Sequence, residues 1–304
     1  MSAVWEIGHR PGGYPRNVHT SRRVEPPADL HLHSDHSDGT ETPARVMAAA
    51  HQYGVRTAAL TDHDTTSGWA EAAEAAASLG MTFLPGMELS ARHQWRSVHV
   101  LAYLVDPDDE ALRAMTERIR TSRLDRARQM ADRIARDFDL DWDDIVAHTS
   151  DGATIGRPHI ADALVARGLV RDRAEAFATI LSPGGDYYVA LYAPDPVTAV
   201  SLVVGAGGVP IIAHPAGRAG LLPDGIMERM LRAGLGGFEL GHRENVGEAL
   251  RALERLSADR DLIVTGSSDY HGQGKPNRPG ERTTAPDMVQ RIIERATGTA
   301  PFYP

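Results

Sequence analysis

The sequence predicts an α/β barrel, and three observations carry that expectation. Short apolar runs alternate with helix-period segments along most of the chain, as parallel strands joined by helical crossovers require. His33, His63, Glu88, His214 and Asp269 all fall at or just after the C-terminal ends of those runs. A closed barrel gathers its strand ends in one mouth, whereas a doubly wound sheet spreads them along an edge.

In chain order, residues 1–27 are rich in Pro, Gly and Arg, lack periodicity and read as a flexible arm. Strands are expected at Asp29–His33, Thr57–Thr61, Thr82–Pro85, Val98–Leu104, Val209–Ala213, Gly237–Leu240 and Leu262–Thr265. Thr42-Pro43 pairs an N-cap with a first-turn proline and opens a helix through about Tyr53. Ser67 is a candidate cap for a second helix, through about Leu79, and Glu244–Leu256 has apolar i, i+3, i+4 spacing. Between 107 and 200 strands are scarce. Glu110–Asp137 reads as one long charged amphipathic helix, a solvated face with one buried stripe, and shorter helices follow near 157–167 and 173–181. The expected organisation is a barrel from 28–106 and 201–304, with a helical insertion at 107–200 capping its mouth.

Composition narrows the partners. A net charge of −9 argues against a long nucleic-acid duplex. With no cysteine, disulfides and zinc–thiolate sites are excluded, and any metal must be held by His, Asp and Glu. No apolar run is long enough for a bilayer, and residues 1–17 lack the apolar core of a signal peptide. A cytoplasmic protein, monomeric by default, is expected. The basic residues are almost all Arg; Lys275 is the single lysine, off any strand.

The richest stretch is DLHLHSDHSDGT at 29–40. Residues i and i+2 of a strand share a face, so His31 and His33 can grip one ion while the loop brings Asp38 close. Matching runs recur: TDHD at 61–64, GMELS at 86–90, VHVLAY at 98–103, IIAHP at 211–215 and GSSDYHG at 266–272. The candidate ligands are His31, His33, Asp38, His63, Glu88, His99, His214, Asp269 and His271. These nine are too many for one ion that takes about three or four protein ligands, and two or three ions fit. Divalent ions in that number outweigh the three carboxylates, and a net positive pocket in an acidic protein suits a compact phosphate ester.

Those motifs, in that order, resemble the polymerase-and-histidinol-phosphatase (PHP) superfamily over about residues 28–285. They are most similar to its stand-alone phosphoesterases, which act on nucleoside 3′,5′-bisphosphates and short RNA 5′ ends. The resemblance implies a distorted seven-stranded (β/α) barrel and a trinuclear centre of divalent ions, Mn²⁺ first among them, with Fe²⁺, Zn²⁺ or Mg²⁺ as alternatives. It implies His31, His33, Glu88 and Asp269 on one ion, Glu88, His99 and His214 on a second, and Asp38, His63 and His271 on a third. GRPHIADAL at 156–164 resembles the subgroup's phosphate-contacting segment, so Arg157 and His159 are expected at the substrate. Arg218, in AHPAGRAG, is a further substrate candidate. The implied chemistry is hydrolysis of a phosphate monoester by a metal-bridging hydroxide, with His159 or a bound water protonating the leaving group. A cyclic or sugar phosphate is an alternative substrate; an amidohydrolase and a non-catalytic metal scaffold are alternatives of other classes. Asp62 and Asp64 are candidates to orient a ligand imidazole. His36 departs from the family's small residue and is open as ligand, substrate contact or bystander. His93 and His242 read as bystanders, His9, His19, His51 and His148 as surface residues, and Ser267 and Ser268 as loop formers.

Overall fold

The computed structural model describes Tyr14, residues 24–150, 153–217 and 220–304. The arm expected at 1–27 lies outside them except for Tyr14 and its last four residues. Tyr14 packs edge-on against Trp69 and Phe302.

The chain opens with strand β1 (Ala28–Leu32), helix α1 (Pro43–Gln52), β2 (Thr57–Leu60) and α2 (Trp69–Ser78). Thr42 caps α1 as expected, accepting from the Arg45 amide. Ser67 does not cap α2; Gly68 holds that position, and the Ser67 hydroxyl is hydrogen-bonded to His36 Nδ1. Two long strands follow, β3 (Thr82–His93) and β4 (Arg96–Tyr103). Next come α3 (Glu110–Ile134), α4 (Trp142–Val146), α5 (Arg157–Ala166), α6 (Arg173–Ala178) and α7 (Pro196–Gly205). The last stretch is β5 (Val209–Ile212), α8 (Asp224–Arg232), β6 (Gly237–Gly241), α9 (Gly247–Asp259), β7 (Ile263–Gly266) and α10 (Pro286–Arg295).

The seven strands form one sheet in sequence order. The ends nearly close: Leu32 bridges Tyr270, and the His33 amide donates to the Tyr270 carbonyl at 2.9 Å. One expectation is corrected. The sheet is not wholly parallel, because β4 runs antiparallel to both β3 and β5. A two-residue turn, Gln94-Trp95, with Gln94 at φ 56°, folds β4 back on β3. His99 lies in the first half of β4, so the reversed direction delivers it to the same end of the barrel as the C-terminal ends of the other strands.

Side-chain alternation divides the strands between two cores. Ala28, Leu30, Leu84, Leu101, Tyr103, Val209, Ile211 and Ile263 fill the barrel floor, which Val289, Ile292 and Ile293 of α10 close from below. Leu32, Leu60, Phe83, Met87, Leu89, Val100, Ile212 and Phe238 pack outward against the helices. The β1 register shifts between Asp29 and Leu32. This irregularity takes Leu30 into the floor and Leu32 into the outer core, which leaves His31 and His33 to face the mouth. Helices α3 to α6 share a third core, built from Ala127, Met130, Ile134, Ile145, Ile160, Leu164 and Leu181. Helix α7 instead packs against β3, β4 and β5.

Candidate metal centre

The mouth collects imidazoles and carboxylates at ligand distance. His31 Nε2 and His33 Nε2 are 3.0 Å apart. Glu88 Oε2 lies 3.2 and 3.1 Å from them, and Asp269 Oδ1 3.4 and 3.5 Å. The other oxygen of Glu88 lies 2.7 Å from His99 Nδ1 and 3.4 Å from His214 Nε2. Asp38 Oδ1 lies 3.1 Å from His271 Nε2 and 3.7 Å from His33 Nδ1, and Asp38 Oδ2 lies 3.7 Å from His63 Nε2. His63 also reaches Glu88, with Nδ1 3.4 Å from Oε2. The structure thus brings all nine candidate ligands together around a central Glu88.

Local backbone explains each placement. A Cβ on Gly39 would meet the His33 carbonyl oxygen at 2.5 Å, so only glycine lets the loop fold back and carry Asp38 over β1. The Glu88 amide donates to the Thr61 carbonyl and the Asp64 amide to the Glu88 carbonyl, which sets His63 beside Glu88. His214 and Asp269 sit at φ 33° and 55° just after β5 and β7. Backbone held in this sparsely populated region is typical of functional sites.

The residues fit metal ions on an observation of this structure. Asp38 Oδ1, His63 Nδ1, Glu88 Oε1 and His99 Nδ1 are buried atoms with no hydrogen-bond partner. Such groups are costly to bury unless a cation meets them. Burial alone would lower the His31 and His33 pKa values. The carboxylates of Glu239, Glu88 and Asp269 outweigh it for His31, and those of Asp269 and Glu88 raise His33 to about 9. Burial would raise the acids, but His271 and His63 around Asp38, His63 and His99 around Glu88, and Lys275 and His271 around Asp269 hold all three well below the usual carboxylate range. For His63 and His271 burial wins, and His271 is pushed down to about 4. Concentrated opposing charge of this kind suits a site that holds cations.

Three residues that sequence reasoning passed over stand here. Glu239, fully buried on β6, accepts from His31 Nδ1 and from the His214 amide, both at 2.9 Å. His242 is no bystander, since its Nε2 lies 3.5 Å from Asp269 Oδ2. Arg123 of α3 pairs with Asp64 at 2.9 Å and donates to the Ser90 hydroxyl. The expected solvated helix therefore buries two arginines, Arg123 and Arg126, on its inner stripe. Among the described residues Asp62 and Asp64 make no hydrogen bond to an imidazole. Asp62 accepts from the Ser34 amide and from the Ser34 and Ser37 hydroxyls, and Ser37 Oγ in turn reaches His33 Nδ1 at 3.4 Å; Asp64 serves Ser90 and Arg123.

His36 pairs with Ser67 and joins none of the candidate ligand groups. His159 is buried, and its Nδ1 accepts from the Gly156 amide, so Nε2 carries the proton. Burial lowers its pKa, with the charge of Asp38 opposing. The Arg157 guanidinium lies over the Phe177 and Tyr188 rings and donates to the Leu181 carbonyl. Arg218 lies outside the described residues. Among the described residues no helix is long and apolar enough to cross a membrane.

Barrel and cluster together define a metal-dependent hydrolase. Residues 29–180 match the PHP domain, and the chain belongs to that family. It is 38% identical over 283 residues to a 3′,5′-nucleoside bisphosphate phosphatase of Chromobacterium violaceum, a match covering 88% of this chain and 95% of the relative. It is 29% identical to a 5′-3′ exoribonuclease of Haemophilus influenzae, over 80% of this chain and 89% of that one. It is 30% identical to a phosphoribosyl 1,2-cyclic phosphate 1,2-diphosphodiesterase of Eggerthella lenta, over 84% and 99%. A crystal structure from Bifidobacterium adolescentis, described as a metal-dependent phosphoesterase, is 41% identical with a TM-score of 0.87, over 90% of this chain and 98% of that one. The protein is a metal-dependent phosphoesterase.

Proposed function

We propose that the enzyme hydrolyses a phosphate monoester of a small nucleotide bearing a second anionic group, a nucleoside 3′,5′-bisphosphate or a short oligoribonucleotide. In this reading His31, His33, Glu88 and Asp269 hold one divalent ion, Glu88, His99 and His214 a second, and Asp38, His63 and His271 a third, with Mn²⁺ as the preferred metal. The enzyme works in the cytoplasm. When bound, the ions supply Lewis acidity toward the phosphoryl oxygens and lower the pKa of water.

The observation that carries the substrate class is a pair of arginines within the helical segment, Arg126 on α3 and Arg157 on α5. Arg126 and Arg157 have no carboxylate partner among the described residues. Their hydrogen bonds go to the Val189 and Leu181 carbonyls, and both lie over Tyr188. Burial, then the charge of Arg157, lowers the Arg126 pKa, and burial lowers that of Arg157. An anion placed there relieves both guanidinium groups. Arg123, on the same helix as Arg126, pairs with Asp64, the residue after His63. His159, neutral with its proton on Nε2, acts as a hydrogen-bond donor toward the ester and not as an imidazolium acid.

The test is phosphate release from nucleoside 3′,5′-bisphosphates, short 5′-phosphorylated RNA, cyclic phosphates, sugar phosphates and p-nitrophenyl phosphate with Mn²⁺. Wild type should favour the first two classes. Arg126→Ala should raise KM for the bisphosphate roughly tenfold, the scale of one charge-assisted hydrogen bond, and leave p-nitrophenyl phosphate unchanged. A preference for cyclic or sugar phosphates, or equal losses on every ester, would contradict it.

A further inference from the structure

Lys275, the single lysine of the chain, has no part in the scheme above. Its Nζ lies 2.6 Å from Asp269 Oδ2. The two oxygens of Asp269 divide their work: Oδ1 faces His31 and His33, and Oδ2 faces Lys275 and His242. Lys275 can therefore keep its contact while Oδ1 serves an ion. Glu88 and Asp38 differ, because both oxygens of each face imidazoles of the candidate ligand set.

The loop that carries Lys275 is tied down on both sides. The Gln273 amide donates to the Thr40 hydroxyl and the Gly274 amide to the His271 carbonyl. The Asn277 side-chain amide donates to the carbonyls of Ser268 and Asp269, and the Gly280 amide to the Asp29 carboxylate. These bonds hold the ammonium at the lip of the cluster: the Lys275 side chain is 40% exposed and that of Asp269 only 6%.

A fixed positive charge beside a metal centre weakens cation binding, so metal affinity does not account for it. An ammonium carries three donors, and Asp269 takes one. The remaining N–H groups, at the border between cluster and solvent, suit an anion that lies against the ions and the lysine together.

We propose that Lys275 is a substrate-contacting residue whose ammonium, held on Asp269, donates to an oxygen of the phosphate at the metal centre. This rests on the phosphoesterase reading of the same site.

A lone lysine makes its own amine the reporter. Mn²⁺-loaded wild-type protein is acetylated with a lysine-selective reagent, with and without inorganic phosphate at a level that calorimetry shows to be saturating, and the Lys275 peptide is followed by mass spectrometry. Phosphate should slow acetylation several-fold. Equal rates, or no phosphate binding at all, would overturn the inference. In parallel, Lys275→Met should raise KM about tenfold with wild-type metal content, and Lys275→Arg should recover part of the loss. A purely structural salt bridge would instead shift Tm and metal content and leave KM alone. If wild type released no phosphate from any ester, the phosphoesterase reading would fail, while the acetylation rates would still report on Lys275. If Lys275→Met does not fold, the wild-type acetylation result decides.

Discussion

One buried carboxylate shows how much of the centre rests on a single side chain. Glu239 orients His31 through Nδ1, leaving Nε2 for a metal, and pins the His214 amide at a left-handed residue. Glu239→Ala strands two buried donors, at about 1–3 kcal/mol each, and should weaken metal retention roughly 10–100-fold. Glu239→Gln keeps one acceptor and should fall between. Thermal melts and metal content after graded chelation measure both effects. The ligands themselves were legible because each belongs to a short motif: His31 and His33 by strand alternation, Asp269 and His271 by the same spacing. Glu239 was not, since in GFELG it reads as an ordinary polar alternation, and only the closure of the barrel, with the segment after β7 meeting the end of β1, brings β6 round to His31. His242 and Lys275 were hidden for the same reason, their partner Asp269 being distant from His242 in sequence and reached by Lys275 only through a loop with no period.

At the scale of elements, α3 is fastened to the barrel where the ligands sit. Arg123 joins Asp64, beside His63, to Ser90, two residues from Glu88. Removing one partner of a buried pair leaves the other charge uncompensated, so Arg123→Ala should lower stability by about 3 kcal/mol. Denaturant unfolding reads that loss, and the same variant should hold less metal through displacement of His63. Unchanged stability and metal content would show the clasp to be idle. The signal for it was present: Leu112, Ile119, Arg123, Ala127, Met130 and Ile134 lie on the buried stripe, and an arginine there is out of place on an apolar face. The strands were legible in number and order, from apolar runs of the right length. The reversal of β4 was not, because Gln94-Trp95 lacks the Gly or Asn that marks a two-residue turn. The strand expected at Thr82–Pro85 also runs longer than its apolar run, since β3 continues through Glu88 to His93.

The whole molecule separates stability from chemistry along the barrel axis. An apolar floor sealed by α10 supplies packing, and the opposite end holds the charged groups that packing alone would not tolerate. Helices α3 to α6 share a core of their own, and two of their arginines, Arg126 and Arg157, have no carboxylate partner among the described residues. This division was legible from the placement of motifs at strand ends. How the insertion meets the barrel was not, because it depends on single contacts such as Arg123 with Asp64. At this scale the nine-residue cluster is expected to hold divalent ions for phosphoester hydrolysis. The most direct measurement is phosphate release from a nucleoside 3′,5′-bisphosphate by protein stripped of metal, with its metal content measured, before and after Mn²⁺ is restored. Activity should be lost on stripping and recover as two to three ions per chain return. Undiminished turnover by protein verified to be metal-free would contradict it.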